Sequence, residues 1–203
     1  MNPEVPQLPI DYLNQIAPAQ QKPKVNKRAL LFMVLLIGGV LAIVVSFLVF
    51  ISNHSGGPKA DMQTLTIRMQ ALQKISDSSQ KNIKSSELRS INSNLRSLLS
   101  NANRDIVAPL EANKVDVKKL DKSLVAKEKT DTLAADLEEA RLNATFDDTY
   151  AREMSFKLST LSILMESIYN SSSSKSMKEF LVATDDNLQH IKTQLEEFNS
   201  TRR

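Results

Sequence analysis

The chain has 203 residues, with 26 Lys and Arg against 23 Asp and Glu, and it contains neither cysteine nor tryptophan. Without cysteine there is no disulfide, thiolate metal site, thiol nucleophile or lipoprotein attachment point, so stability has to come from packing. The charge balance leaves no basic stripe of the kind that neutralises phosphates, which argues against nucleic-acid binding.

Residues 1–28 carry five prolines, at 3, 6, 9, 18 and 23, which predicts an extended, largely unfolded tail with polyproline character. Between Pro9 and Pro18 the segment Ile10-Asp-Tyr-Leu-Asn-Gln-Ile-Ala17 concentrates apolar groups where a solvated linker would have none. Asp11 can cap one helical turn that brings Tyr12 and Ile16 together at i and i+4, with Leu13 beside them. These three residues are the candidate docking peptide for a protein partner, ordered only when bound.

Residues 29–51 form 23 consecutive uncharged residues, entered from Lys24, Lys27 and Arg28. At ~1.5 Å per residue the run reaches roughly 35 Å, enough to cross a hydrocarbon core of about 30 Å with some tilt. It is longer than the apolar part of a cleavable signal peptide and lacks a small-x-small site at its far end, so it reads as a retained transmembrane helix. The basic flank is N-terminal, which places the tail in the cytoplasm and the remainder outside it, at a cell membrane crossed once. Gly38, Ala42 and Ser46 recur every fourth residue and leave one face free of bulk, a candidate pairing face for a homodimer within the bilayer. Residues 52–58 read as a juxtamembrane linker.

From residue 59 to the C-terminus there is no glycine and only one proline, Pro109. A β-rich or phosphate-cradling domain is hard to build from such residues, so 59–203 reads as all-α. Met62, Leu65, Met69 and Leu72, then Leu88, Ile91, Leu95, Leu98 and Ala102, follow helical spacing and predict a first helix over 60–103, kinked near the polar stretch 77–86. Asp105 to Asn113 reads as a short helix or turn, with Asp105 as its cap and Pro109 in its first turn. Val117, Leu120, Leu124, Leu133, Leu137 and Ala140 predict a second helix over 116–142, with a register break near Lys127 to Asp131.

Phe146, Tyr150, Met154, Leu158, Leu161, Met165 and Ile168 mark a third helix, 146–170. Met177, Phe180, Leu181, Thr184, Leu188, Ile191, Leu195 and Phe198 mark a fourth, 176–199, behind a Ser176–Glu179 capping box. Every aromatic after residue 58 lies in this last hairpin, which should therefore hold the best-packed core. The simplest architecture is an antiparallel up-down bundle of four main helices.

Chemistry-bearing residues are sparse. His190 follows Asp186 by four residues, but the position three before it is Asn187 rather than Glu and no second partner histidine exists, so no metal or cofactor is expected. No nucleophile elbow accompanies a candidate base, and no enzyme is implied.

The tail LPIDYLNQIAP, its Lys-rich stop, the single span and the cysteine-free helical part resemble single-pass envelope proteins of small-genome candidate-phylum bacteria, especially the Saccharibacteria. The stretch from Leu142 to Phe198 is similar to that group as well. The resemblance implies a place in a bacterial envelope and no particular chemistry. The sequence therefore reads as a membrane-anchored bundle acting as an interaction or structural module, in contact with the lipid bilayer and a protein partner. The alternative is a ligand-binding sensor bundle of the chemoreceptor type, and a degenerate ferritin-like enzyme is disfavoured by the ligand count.

Overall fold

A computed structural model describes residues 57–201, and all of their regular structure is helical. The helices are α1 (Gly57–Ser79), α2 (Ser86–Asp105), α3 (Val107–Ala112), α4 (Lys122–Lys127), α5 (Asp131–Leu142), α6 (Phe146–Ser171) and α7 (Lys175–Ser200). The tail 1–28, the span 29–51 and most of the linker 52–58 lie outside the described residues. Among the described residues no helix is long and apolar enough to cross a membrane.

The four long helices close into a ring. α1 packs on α2 and α6, and α7 packs on the same two. Gln73 pairs with Asn103 and Ser76 with Asn92, so α1 and α2 run antiparallel; Ser155 with Glu196 and Ser162 with Gln189 set α6 against α7 in the same way. α1 runs up, α2 down, α6 down and α7 up, and residues 106–145 carry the chain from the lower end to the upper one. This is a bundle with one long crossover. Leu65, Met69, Leu88, Leu95, Leu99, Met154, Leu158, Leu188 and Leu195 are fully enclosed between its layers. Each such side chain contributes about 1.5–3 kcal/mol relative to an exposed one.

Two expected helices are corrected. The helix expected over 60–103 is not kinked but reversed: α1 ends at Ser79, residues 80–85 turn, and α2 returns. The turn is built without glycine or proline. Ile83, 2% exposed, plugs it into the core, and the Ser85 hydroxyl caps α2 by accepting from Leu88 N–H. Asp147, in the first turn of α6, accepts from Lys84 N–H at 3.0 Å and Ser85 N–H at 2.7 Å, so a side chain distant in sequence satisfies the free donors at the reversal.

The helix expected over 116–142 is two pieces outside the ring. The break falls at residues 128–130, where the spacing places it, but α4 contributes no buried residue and Val117, Leu120 and Leu124 are only partly covered. Too thin an apolar stripe cannot drive a bundle helix. α5 instead lays Leu133, Leu137 and Ala140 against the bundle, packing on α6.

Smaller shifts have local causes. Asp105 closes α2 rather than capping α3, while Pro109 does lie in the first turn of α3, where no intrahelical donor is lost. The cap of α7 is Ser174, two residues ahead of the expected Ser176, and it accepts from Met177 N–H at 3.4 Å; Glu179 pairs with Lys175. In α2 the buried stripe is Leu88, Asn92, Leu95, Leu99 and Ala102, with Ile91 beside it and Leu98 at its edge.

α3 and α5 both end in left-handed residues that are not glycine, Lys114 (φ 57°) and Ala144 (φ 58°). Val115 N–H bonds to Leu110 O and Thr145 N–H to Ala140 O, each at 2.9 Å, the six-to-one closure of a Schellman cap.

Candidate functional site

The interior holds one polar node, where α1, α2 and α6 meet. The Asn92 amide oxygen accepts from the Ser76 and Tyr150 hydroxyls, and its nitrogen donates to Ser76 O at 3.1 Å and to Gln80 Oε1. All four bonding positions of the amide are filled, which is what a buried amide requires. Ser76, Asn92 and Tyr150 are each completely enclosed. Burial pushes the Tyr150 phenol well above its ordinary range, so it acts as a fixed hydrogen-bond donor rather than as an acid. Phe146 stacks parallel to it with ring centroids 6.0 Å apart. Nothing here is positioned as a nucleophile or base, and the node serves to lock three helices in register.

Outside the ring, the crossover is pinned to α1 by polar contacts. Glu128 receives a two-pronged ion pair from Arg68, and Asp121 N–H donates to Gln63 Oε1 at 2.8 Å. Ile67, one turn on from Gln63 on the same face, is 6% exposed but lies apart from the main core cluster. The segment 113–130 is therefore a strap over α1.

Three exposed large apolar side chains, Phe156, Tyr169 and Val182, lie on the α6–α7 hairpin. Phe156, which lies off the apolar stripe of α6, is 55% exposed and points away from the bundle. Tyr169, 39% exposed, lines a shallow groove with Met165, Glu166, Leu181, Val182 and Asp185, and Lys178 Nζ sits 4.7 Å from its ring centroid. A second groove runs between α2 and α7 past Leu98, Ala102, Phe180 and Thr184. Such shallow, mixed surfaces suit contact with another macromolecule better than enclosure of a small molecule.

The candidate residues Tyr12, Leu13, Ile16, Gly38, Ala42 and Ser46 all lie outside the described residues. His190 and Asp186 are exposed on α7, and among the described residues no three His, Asp or Glu side chains are grouped to hold a metal. The node, the Arg68–Glu128 pair and the Asp147 cap were not legible as sites. Asn92 did leave a signal, since it occupies a stripe position between Leu88 and Leu95 where an apolar residue is the default. No family model matches the chain, and neither does any curated protein or solved structure.

Proposed function

We propose that this chain is a single-pass protein of a bacterial cell membrane, held by residues 29–51 with residues 1–28 in the cytoplasm, whose helical bundle works outside the cytoplasm as a non-enzymatic interaction or structural module. The observation that carries the reading is the 23-residue uncharged run directly after Lys24, Lys27 and Arg28. The bundle supports a macromolecular partner rather than a substrate: its polar node has its hydrogen-bonding capacity filled internally, while Phe156, Tyr169 and Val182 are exposed on the α6–α7 hairpin. In this reading Gly38, Ala42 and Ser46 form a pairing face between two spans, and Tyr12, Leu13 and Ile16 dock a partner on the cytoplasmic side.

The absence of native cysteine allows a direct test. Single cysteines at Asn2→Cys and Thr201→Cys are probed in cells with a permeable outer barrier, using a membrane-impermeant maleimide. Position 201 should label in intact cells and position 2 only after lysis. The opposite pattern overturns the orientation, and release of the protein by alkaline carbonate overturns the span. Residue-specific photocrosslinkers at Phe156 and Tyr169 then test the module, which requires a discrete crosslinked partner in the envelope.

A further inference from the structure

The strap carries a net positive charge. Residues 113–130 contain Lys114, Lys118, Lys119, Lys122, Lys127 and Lys129, all exposed, against three carboxylates. Those carboxylates are already engaged. Glu128 holds Arg68, Asp121 caps α4 through Ser123 N–H, and Asp116 accepts from Lys118 N–H at 2.8 Å and pairs with Lys119 at 3.8 Å. Of the six lysines only Lys119 has an ion-pair partner among the described residues. The opposite end is mixed: Asp136, Glu138, Glu139, Asp148, Glu196 and Glu197 are exposed there, but so are Lys81, Lys84, Arg89, Arg141 and Arg152, and Glu138 is paired with Arg141.

Position adds a second argument. In sequence, only residues 52–56 separate the uncharged run from Gly57, the start of α1. The strap meets α1 at Gln63 and Arg68, within about 17 Å of the helix start at 1.5 Å per residue. A lysine-rich strip near the start of α1 gives an anionic surface one side of the bundle to hold.

Resting on the membrane-anchored reading above, we infer that the strap is a docking surface for anionic phospholipid headgroups, which hold the bundle lysine side down on the bilayer. Exposed lysines without a carboxylate partner are attracted to anionic headgroups in whichever leaflet they face, and the attraction falls off within a Debye length.

The test uses the full chain reconstituted in vesicles of phosphatidylcholine alone or with a third of phosphatidylglycerol. Lysine acetylation by a membrane-impermeant reagent is read residue by residue by mass spectrometry. At low salt, labelling of Lys118, Lys119, Lys122, Lys127 and Lys129 should fall about threefold or more in the anionic vesicles, with Lys81 and Lys84 at the far end unchanged. The difference should vanish near 0.5 M salt, where screening shortens to roughly 4 Å. The triple variant Lys118→Gln, Lys119→Gln, Lys122→Gln should lose the protection at Lys127 and Lys129. Equal labelling in both vesicles, or protection that survives the triple variant, overturns the inference. Equal protection by soluble polyphosphate in neutral vesicles overturns the assignment to lipid. Flotation with neutral vesicles after alkaline carbonate is the separate readout of the anchor, and its loss would overturn the membrane reading itself.

Discussion

Arg68 of α1 and Glu128, at the end of α4, meet in a two-pronged ion pair, Nη2 to Oε1 at 2.7 Å and Nε to Oε2 at 2.8 Å, across 60 residues of sequence. The Arg68 side chain is only 10% exposed and that of Glu128 23%. Removing the carboxylate takes two charge-assisted hydrogen bonds from a nearly buried guanidinium, whereas removing both charges leaves an apolar contact. Glu128→Ala should therefore cost about 1–3 kcal/mol, the lower part of the range for broken buried pairs because Glu128 retains some water. Arg68→Met combined with Glu128→Leu should cost less than the single change. Urea unfolding of the three proteins checks the order. Hydrogen exchange should also rise first in residues 113–130, since α4 buries nothing that would hold it once the pair is gone.

The polar node makes a prediction with a pH signature. Burial raises the Tyr150 pKa above the ordinary phenol value of about 10, so the folded state keeps the phenolic proton after the unfolded chain has released it. Its contribution is complete below the unfolded value and declines as pH rises beyond about 10 toward the folded pKa, because the unfolded state then binds fewer protons. Tyr150→Phe should flatten the loss of stability above pH 10 relative to the parent, at a cost near neutrality of about 1 kcal/mol. Asn92→Ala should be worse, about 2–4 kcal/mol, because it leaves the Ser76 and Tyr150 hydroxyls without their shared acceptor and opens a cavity. Melting curves across pH 7 to 11.5 separate the two effects.

Much of the fold was legible because α6 and α7 carry long stripes whose spacing survives any small error in their ends. Tyr150, Met154, Leu158, Leu188 and Leu195 are buried as their period demands. The reversal at 80–85 was not legible as a reversal. It lacks glycine and proline, and what enforces it is Asp147, a residue 62 positions from Ser85. The α2 face was read slightly rotated for a related reason: the spacing puts Ile91 in the stripe in place of Asn92, whose burial depends on Tyr150 and Ser76 to satisfy its amide. Phe156 lies off the stripe that marks α6, and its exposure follows that spacing rather than its size and apolarity. The tail and span candidates lie in residues 1–56, outside the described bundle.

The scarcity of glycine leaves strain that a substitution can relieve. Ala144 sits at φ 58° after α5, where a Cβ crowds the following carbonyl and glycine has no such penalty. Ala144→Gly should stabilise by about 1 kcal/mol, and a bundle of this size should then melt roughly 2–4 °C higher. Lys114→Gly, at φ 57°, should shift in the same direction. A fall in melting temperature for both would mean that the added freedom of the unfolded chain outweighs the relief.

Ile191 and Phe156 make a paired test of which faces the last hairpin buries and which it offers. Ile191 is 4% exposed inside the core cluster, and Phe156 is more than half exposed on the outer side of α6. Ile191→Asp places a carboxylate among the apolar side chains of the core cluster, costing several kcal/mol against a domain stability of about 5–15, so cooperative unfolding should be lost or shifted far down. Phe156→Lys removes no enclosed contact and should leave the melting temperature within a degree or two, within the usual range for surface changes. The two variants diverge again in function. A bundle that presents Phe156 to a partner should fold normally as Phe156→Lys yet lose the crosslinked adduct, because a lysine desolvated in an apolar contact forfeits its hydration without a matching charge. An adduct formed equally by the parent and by Phe156→Lys would move the contact surface away from the outer face of α6.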